Sequence, residues 1–129
     1  MRKGGGAIFI IVLIVLAAAV LVGVRIFSFP ENKASPEVVA FAKCLAQKGI
    51  TMYGAEWCSH CQEEEALFAD AFKLVPYIDC PKQPKECLAL GINNYPTWLF
   101  PDGKKIEGFM SLEKLAEESG CVFEETKTP

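Results

Sequence analysis

Residues 50–65 read Ile-Thr-Met-Tyr-Gly-Ala-Glu-Trp-Cys-Ser-His-Cys-Gln-Glu-Glu-Glu. The apolar run 50–55 has strand character. From Cys58 the pattern turns helical and runs to about Leu74, with Ala66, Leu67, Ala69, Ala71 and Phe72 as its packing surface. Cys58 and Cys61 therefore straddle a strand-to-helix junction. Backbone N–H groups at a helix start stabilise an anion, so Cys58 is placed to carry a thiolate, the species that attacks a disulfide. Cys61, one turn on, shares a helix face with it and can resolve the resulting mixed disulfide. His60, the single histidine of the chain, lies between them, where an imidazole can stabilise the Cys58 thiolate and so make the disulfide more oxidising. Trp57 would shield and pack the pair. Glu63, Glu64 and Glu65 suit the positive end of the helix dipole and read as a solvated turn.

Before this core, Ser35-Pro36-Glu37 opens a helix as N-cap, first position and first-turn acid, and Gly49 closes it. After it come a strand in 75–79, a short helix over 83–90 stopped by Gly91, a strand over 97–100, an Asp102-Gly103 hairpin turn, a return strand over 104–109, and a helix capped by Ser111 and ended by Gly120. This order describes an α/β fold, a mixed central sheet with helices on both faces. Tyr53, Phe68, Phe72, Trp98 and Phe100 read as core. Tyr95-Pro96-Thr97 precedes a strand. A proline there marks a bulge or strand start, and if its bond is cis it can present open backbone to a substrate strand; composition alone favours neither isomer.

The 129-residue chain is 51% hydrophobic, with the excess concentrated in Ala7 to Val24, 18 residues without a charge. That length suits one membrane span. Arg2 and Lys3 precede it, which puts the N-terminus in the cytoplasm and the rest outside. The rival is a cleaved signal peptide with Ala17-Ala18-Ala19 as its site, but the apolar run continues past those alanines, which favours an uncleaved anchor. From Pro30 onward ten lysines face 16 acidic residues, a formal charge of −6. No basic stripe is available for nucleic acid.

All six cysteines, 44, 58, 61, 80, 87 and 121, follow the apolar segment, and an even count there favours disulfides. Cys58, Cys61, Cys80 and Cys87 could in principle hold zinc. The six residues between the second two fit a zinc knuckle poorly, and the strand-CxxC-helix context fits redox chemistry better.

Trp57-Cys58-x-x-Cys61, Gly91-Ile92-x-x-Tyr95-Pro96-Thr97 and Pro101-Asp102-Gly103, followed by an amphipathic helix, resemble the thioredoxin family over about residues 50–119. More narrowly, Phe41-Ala42-Lys43-Cys44-Leu45, Met52 to Gln62, Pro76 to Cys80, Glu86-Cys87, Tyr95 to Trp98 and Ser111 to Ala116 resemble the thioredoxin-like domain of bacterial and plant vitamin K epoxide reductase (VKOR) homologues, over roughly residues 40–121. In those proteins the domain is fused to a membrane quinone reductase that reoxidises it. The resemblance implies a thioredoxin fold, catalytic Cys58 and Cys61 assisted by His60, a substrate surface of Trp57, Tyr95, cis Pro96 and Thr97, and an accessory Cys80–Cys87 pair. Cys44 and Cys121 remain; pairing them would clamp the two ends of the domain, and either could instead be free.

Two residues depart from the pattern. Ordinary thioredoxins carry a buried acid six residues before the first cysteine; here that residue is Met52, which leaves Glu56 or water as proton acceptor. The dipeptide between the cysteines is Ser-His where the related domains usually have Pro-His.

The expected organisation is a cytoplasmic N-terminus (1–6), a signal anchor (7–28), a linker (29–36), a thioredoxin-like domain (37–121) and a tail (122–129). The expected function is an anchored extracytoplasmic oxidant of protein thiols, with no cofactor or metal of its own, reoxidised by a VKOR-like or DsbB-like membrane protein. The alternatives are an anchored thiol reductase or isomerase of the cytochrome c maturation type, using the same residues in reverse, and a non-catalytic or zinc-stabilised binding module.

Overall fold

The computed structural model describes residues 5–26 and 32–124. Residues 1–4 and 125–129 of the expected tails, 27–28 of the expected anchor and 29–31 of the expected linker fall outside them. The chain divides into two units, residues 1–31 and 32–129.

The first unit contains one helix, α1 (Gly5–Ile26). Its side chains are described over residues 6–21, about 24 Å along the axis. Among the described residues no helix is long and apolar enough to cross a membrane.

The second unit begins with α2 (Pro36–Gln47), whose N-cap Ser35 accepts from the Val38 N–H at 3.4 Å. Strand β1 (Thr51–Gly54) leads into α3 (Ser59–Phe68). There follow β2 (Tyr77–Asp79), α4 (Pro84–Ala89), β3 (Thr97–Leu99), β4 (Lys105–Glu107) and α5 (Leu112–Ser119). The sheet order is β2-β1-β3-β4, with β1 parallel to β2, and β3 antiparallel to both β1 and β4. The order and the hairpin agree with the sequence reading. No strand precedes β1 among the described residues.

Strand β1 is central and its side chains alternate between two cores. Met52 pairs with Tyr77 on one side and Trp98 on the other, and Trp98 with Ile106. This row faces the larger core, which holds Phe41 and Leu45 of α2, Cys61 and Phe68 of α3, and Leu112 and Leu115 of α5. Tyr53 faces a smaller cluster with Cys80, Cys87 and Ile92. Burying each large apolar side chain contributes about 1.5–3 kcal/mol.

The helix expected to run to about Leu74 stops at Phe68. Ala69 turns the chain with φ +49° and ψ −136°, and a 3-10 turn carries on from Ala69 to Leu74. Positive φ is strained for a residue with a Cβ. Asp70 supplies the compensation: its Oδ1 accepts from the Ala34 N–H at 2.7 Å, and its own N–H donates to the Asn32 carbonyl at 3.1 Å. The break thus fastens the chain entering the domain to the far end of α3.

Four of the six cysteines are bonded, Cys44 to Cys121 and Cys80 to Cys87. The first closes a loop of 77 residues, worth about 4 kcal/mol by restriction of the unfolded chain. A Cys44→Ala/Cys121→Ala double variant is expected to lose about that much in urea unfolding. A loss under about 1 kcal/mol would show that helix packing alone holds the ends.

Candidate functional site

Cys58 is the N-cap of α3. Its Sγ accepts from the Cys61 N–H at 3.2 Å, and its own N–H bonds the Ala55 carbonyl at 3.0 Å, which closes the turn out of β1. The sulfur therefore meets the positive end of a helix. Cys58 is 8% exposed and Cys61 fully buried; both are free thiols. Burial, with help from the Cys58 sulfur beside it, pushes the Cys61 thiol up to about 12. The pair is thus asymmetric: an attacking sulfur near the surface and a resolving sulfur in the core.

Around this pair the structure gathers most of the expected surface. The Tyr95–Pro96 bond is cis. Trp57, 73% exposed, stands edge-on against Tyr95 with ring centroids 6.1 Å apart. Thr97 is different: its side chain is buried and its hydroxyl donates to the Asn94 carbonyl at 2.7 Å. Its side chain braces the turn before Pro96 rather than facing a substrate.

His60 is 66% exposed, and its Nδ1 lies 3.3 Å from Glu63 Oε2. Its partner is that carboxylate, not Cys58. Met52 is fully buried where the related pattern has an acid. Glu56 is solvent-exposed and paired with Lys82 at 2.9 Å.

Glu64 corrects the reading of the three glutamates as a solvated turn. Glu63 is exposed, but Glu64 is 0% exposed. Its Oε1 accepts from Trp98 Nε1 at 2.7 Å and from the Met110 N–H at 3.3 Å. Burial is the main cause of its carboxyl being pushed up to about 7; the two hydrogen bonds pull the other way. Its i, i+3 offset from Cys61 was the signal: a residue one turn from a buried cysteine shares its face.

A zinc site is excluded in the form considered above, since Cys80 and Cys87 are bonded to each other. A recess of about 330 Å³ lies between Ser35, Leu67, Phe109 and Phe123, and another of about 480 Å³ beside Gln62, Ala69 and Phe72. Neither is lined by Cys58 or Pro96.

Residues 35–118 match the thioredoxin family model. The chain belongs to the thioredoxin family. It is 38% identical over 104 residues to the Arabidopsis thaliana thiol-disulfide oxidoreductase LTO1, a match that covers 74% of this chain and 27% of that protein. The chain therefore spans about a quarter of the length of that relative. Among solved structures, chloroplastic thioredoxin z is similar at 23% identity and a TM-score of 0.47, over 73% of this chain and 95% of that one. The first thioredoxin domain of mouse protein disulfide-isomerase A4 is similar at 17% identity and a TM-score of 0.43, over 78% and 86%. In this thioredoxin-family chain the Cys58–Cys61 geometry, one sulfur at a helix start and the other buried behind it, suits dithiol–disulfide exchange.

Proposed function

We propose that this chain is a membrane-anchored, extracytoplasmic oxidant that passes its Cys58–Cys61 disulfide to protein thiols and is reoxidised by a VKOR-like or DsbB-like membrane quinone reductase. The observation that carries the exchange is the placement of Cys58 at a helix start with Cys61 buried behind it, next to Trp57, whose ring meets Tyr95 of the cis Tyr95–Pro96 turn. The direction rests on two others. Two disulfides are formed elsewhere in the domain, as suits an oxidising compartment. Met52 removes the buried acid that a thioredoxin reductant uses. The anchor rests on the uncharged run from Ala7 to Val24 and a helical backbone of 22 residues, about 33 Å long.

In the proposed cycle a substrate thiolate attacks Cys58 Sγ and the Cys58–Cys61 bond breaks. A second substrate thiol then displaces Cys58, leaving an oxidised substrate and a reduced pair. The second reading, an anchored reductase, is favoured by one observation: His60 turns to Glu63, which removes a cation from the reduced Cys58. Equilibration with glutathione decides between them. A Cys58–Cys61 potential above about −200 mV is the expected result; one near about −270 mV assigns the reductase.

A further inference from the structure

Gly54 and Tyr77 stand on neighbouring strands and face the same core as Met52. A Cβ added to Gly54 would lie 3.0 Å from Cys61 Sγ, and 3.0 Å from both Cε2 and Oη of Tyr77. The sulfur and the hydroxyl therefore border one notch, open because residue 54 has no side chain, and lie within twice that distance of each other. Glycine inside a strand marks such a close approach. Tyr77 Oη is buried without a hydrogen-bond partner, a costly condition for a hydroxyl. The ring packs edge-on against Phe72, with centroids 5.4 Å apart, and the hydroxyl oxygen is shut off from solvent.

We infer that the Tyr77 hydroxyl donates a hydrogen bond to the Cys61 thiolate whenever exchange places negative charge on that sulfur, a positioning task that Met52 cannot perform. When a substrate thiolate attacks Cys58 Sγ, a new S–S bond forms, the Cys58–Cys61 bond breaks, and its electron pair stays on Cys61 Sγ. Tyr77 O–H holds that charge until a proton arrives from solvent. In the reverse step the same contact holds Cys61 as thiolate while it attacks the mixed disulfide at Cys58. The remaining ionisable groups that bear on the notch make help necessary. Glu65 approaches from α3 and Asp79 from β2, both carriers of negative charge, while Cys58 is then held in the mixed disulfide. Lys82 is occupied by Asp79 at 3.1 Å and by Glu56. Burial and these neighbours push the Tyr77 hydroxyl up as well, so it keeps its proton and acts as a donor, not as an acid.

The inference rests on exchange at Cys58–Cys61 and not on its direction. Reaction of the reduced protein with Ellman's reagent separates the two sulfurs: Cys58 captures the reagent in a first release of thionitrobenzoate, and Cys61 resolves the mixed disulfide in a second. Tyr77→Phe keeps the ring and its packing. The second phase is expected to slow about tenfold at pH 7, with its rise against pH displaced upward by about one unit, and the first phase to stay unchanged. Site-specific 3-fluorotyrosine at position 77, nearly isosteric and a stronger donor, is expected to quicken the second phase. Wild-type kinetics in both variants, or equal slowing of both phases, overturns the role of Tyr77. Absence of the first phase from the wild-type protein overturns this inference and dithiol exchange together.

Discussion

A Cys61→Ser protein is expected to hold its substrates instead of releasing them. Cys58, near the surface at the start of α3, still attacks; the sulfur that ends the encounter is gone. A neighbouring thiol on the same helix turn competes at an effective concentration on the order of 10⁵ M or more, against substrate thiols at about millimolar. That ratio is about 10⁸, and the small thiolate fraction of a Cys61 thiol pushed up to about 12 reduces it, so the lifetime of the mixed disulfide should rise on the order of 10³-fold or more. Cys58→Ser should capture nothing. Non-reducing electrophoresis after mixing with a disulfide-bonded protein, whose S–S bond Cys58 attacks with release of one substrate thiol, reads both results. Rapid release from Cys61→Ser would mean that an outside thiol resolves the adduct, and capture by Cys58→Ser would move the chemistry to another cysteine. The two bonded pairs are poorly placed for that, since neither Cys80–Cys87 nor Cys44–Cys121 sits at the start of a helix as Cys58 does.

Stability should fall between about pH 4.5 and pH 7, and Glu64→Gln should abolish the fall. The unfolded carboxyl has its ordinary value of 4.5, whereas burial raises the folded one to about 7. Between those values the folded state binds more protons than the unfolded chain, so stability is lost as pH rises through the window and levels off above it. The shift corresponds to about 3 kcal/mol. The glutamine side chain keeps an acceptor for Trp98 Nε1 and the Met110 N–H and carries no charge. The variant should match the wild type near pH 4.5 and exceed it by up to about 3 kcal/mol at pH 8 in urea unfolding. Equal stabilities at pH 8 would mean that the wild-type carboxylate is ionised there at no cost. Glu64 also joins α3 to the segment before α5, close to where Gly108 N–H bonds the Pro96 carbonyl at 2.8 Å. A charge on it therefore stresses the frame that carries both cysteines and the Pro96 turn.

Features that depend on neighbours in the chain were legible in the sequence. Ser35 and Ser111 cap the helices they were expected to cap, Gly120 ends α5 in the left-handed region, and Asp102-Gly103 turns the hairpin. Cys58 stands at a helix start because a strand run meets a helical run there. The isomer of Pro96 and the Cys80–Cys87 bond came from family resemblance, since a proline or a cysteine spacing alone left them open. What was not legible depends on elements distant in sequence. Glu64 is buried because Trp98 and Met110, 34 and 46 residues away, bring donors to it. Ala69 breaks a helix that its own neighbours would continue, because Asp70 is claimed by the backbone of residues 32 and 34. Thr97 turns inward to the Asn94 carbonyl. Gly54 did carry a signal, a glycine within an apolar strand, but only Cys61 and Tyr77 from two other elements give it meaning.

The two bonded cysteine pairs make the domain's persistence conditional on its surroundings. Their loops of 77 and 7 residues together restrict the unfolded chain by about 7 kcal/mol, while a small domain has a total margin of only about 5–15 kcal/mol. A copy held under reducing conditions lacks both clamps and spends far more of its time open to proteolysis. On the proposed function, a newly made copy gains those two clamps from oxidised molecules already present before it passes on a disulfide of its own.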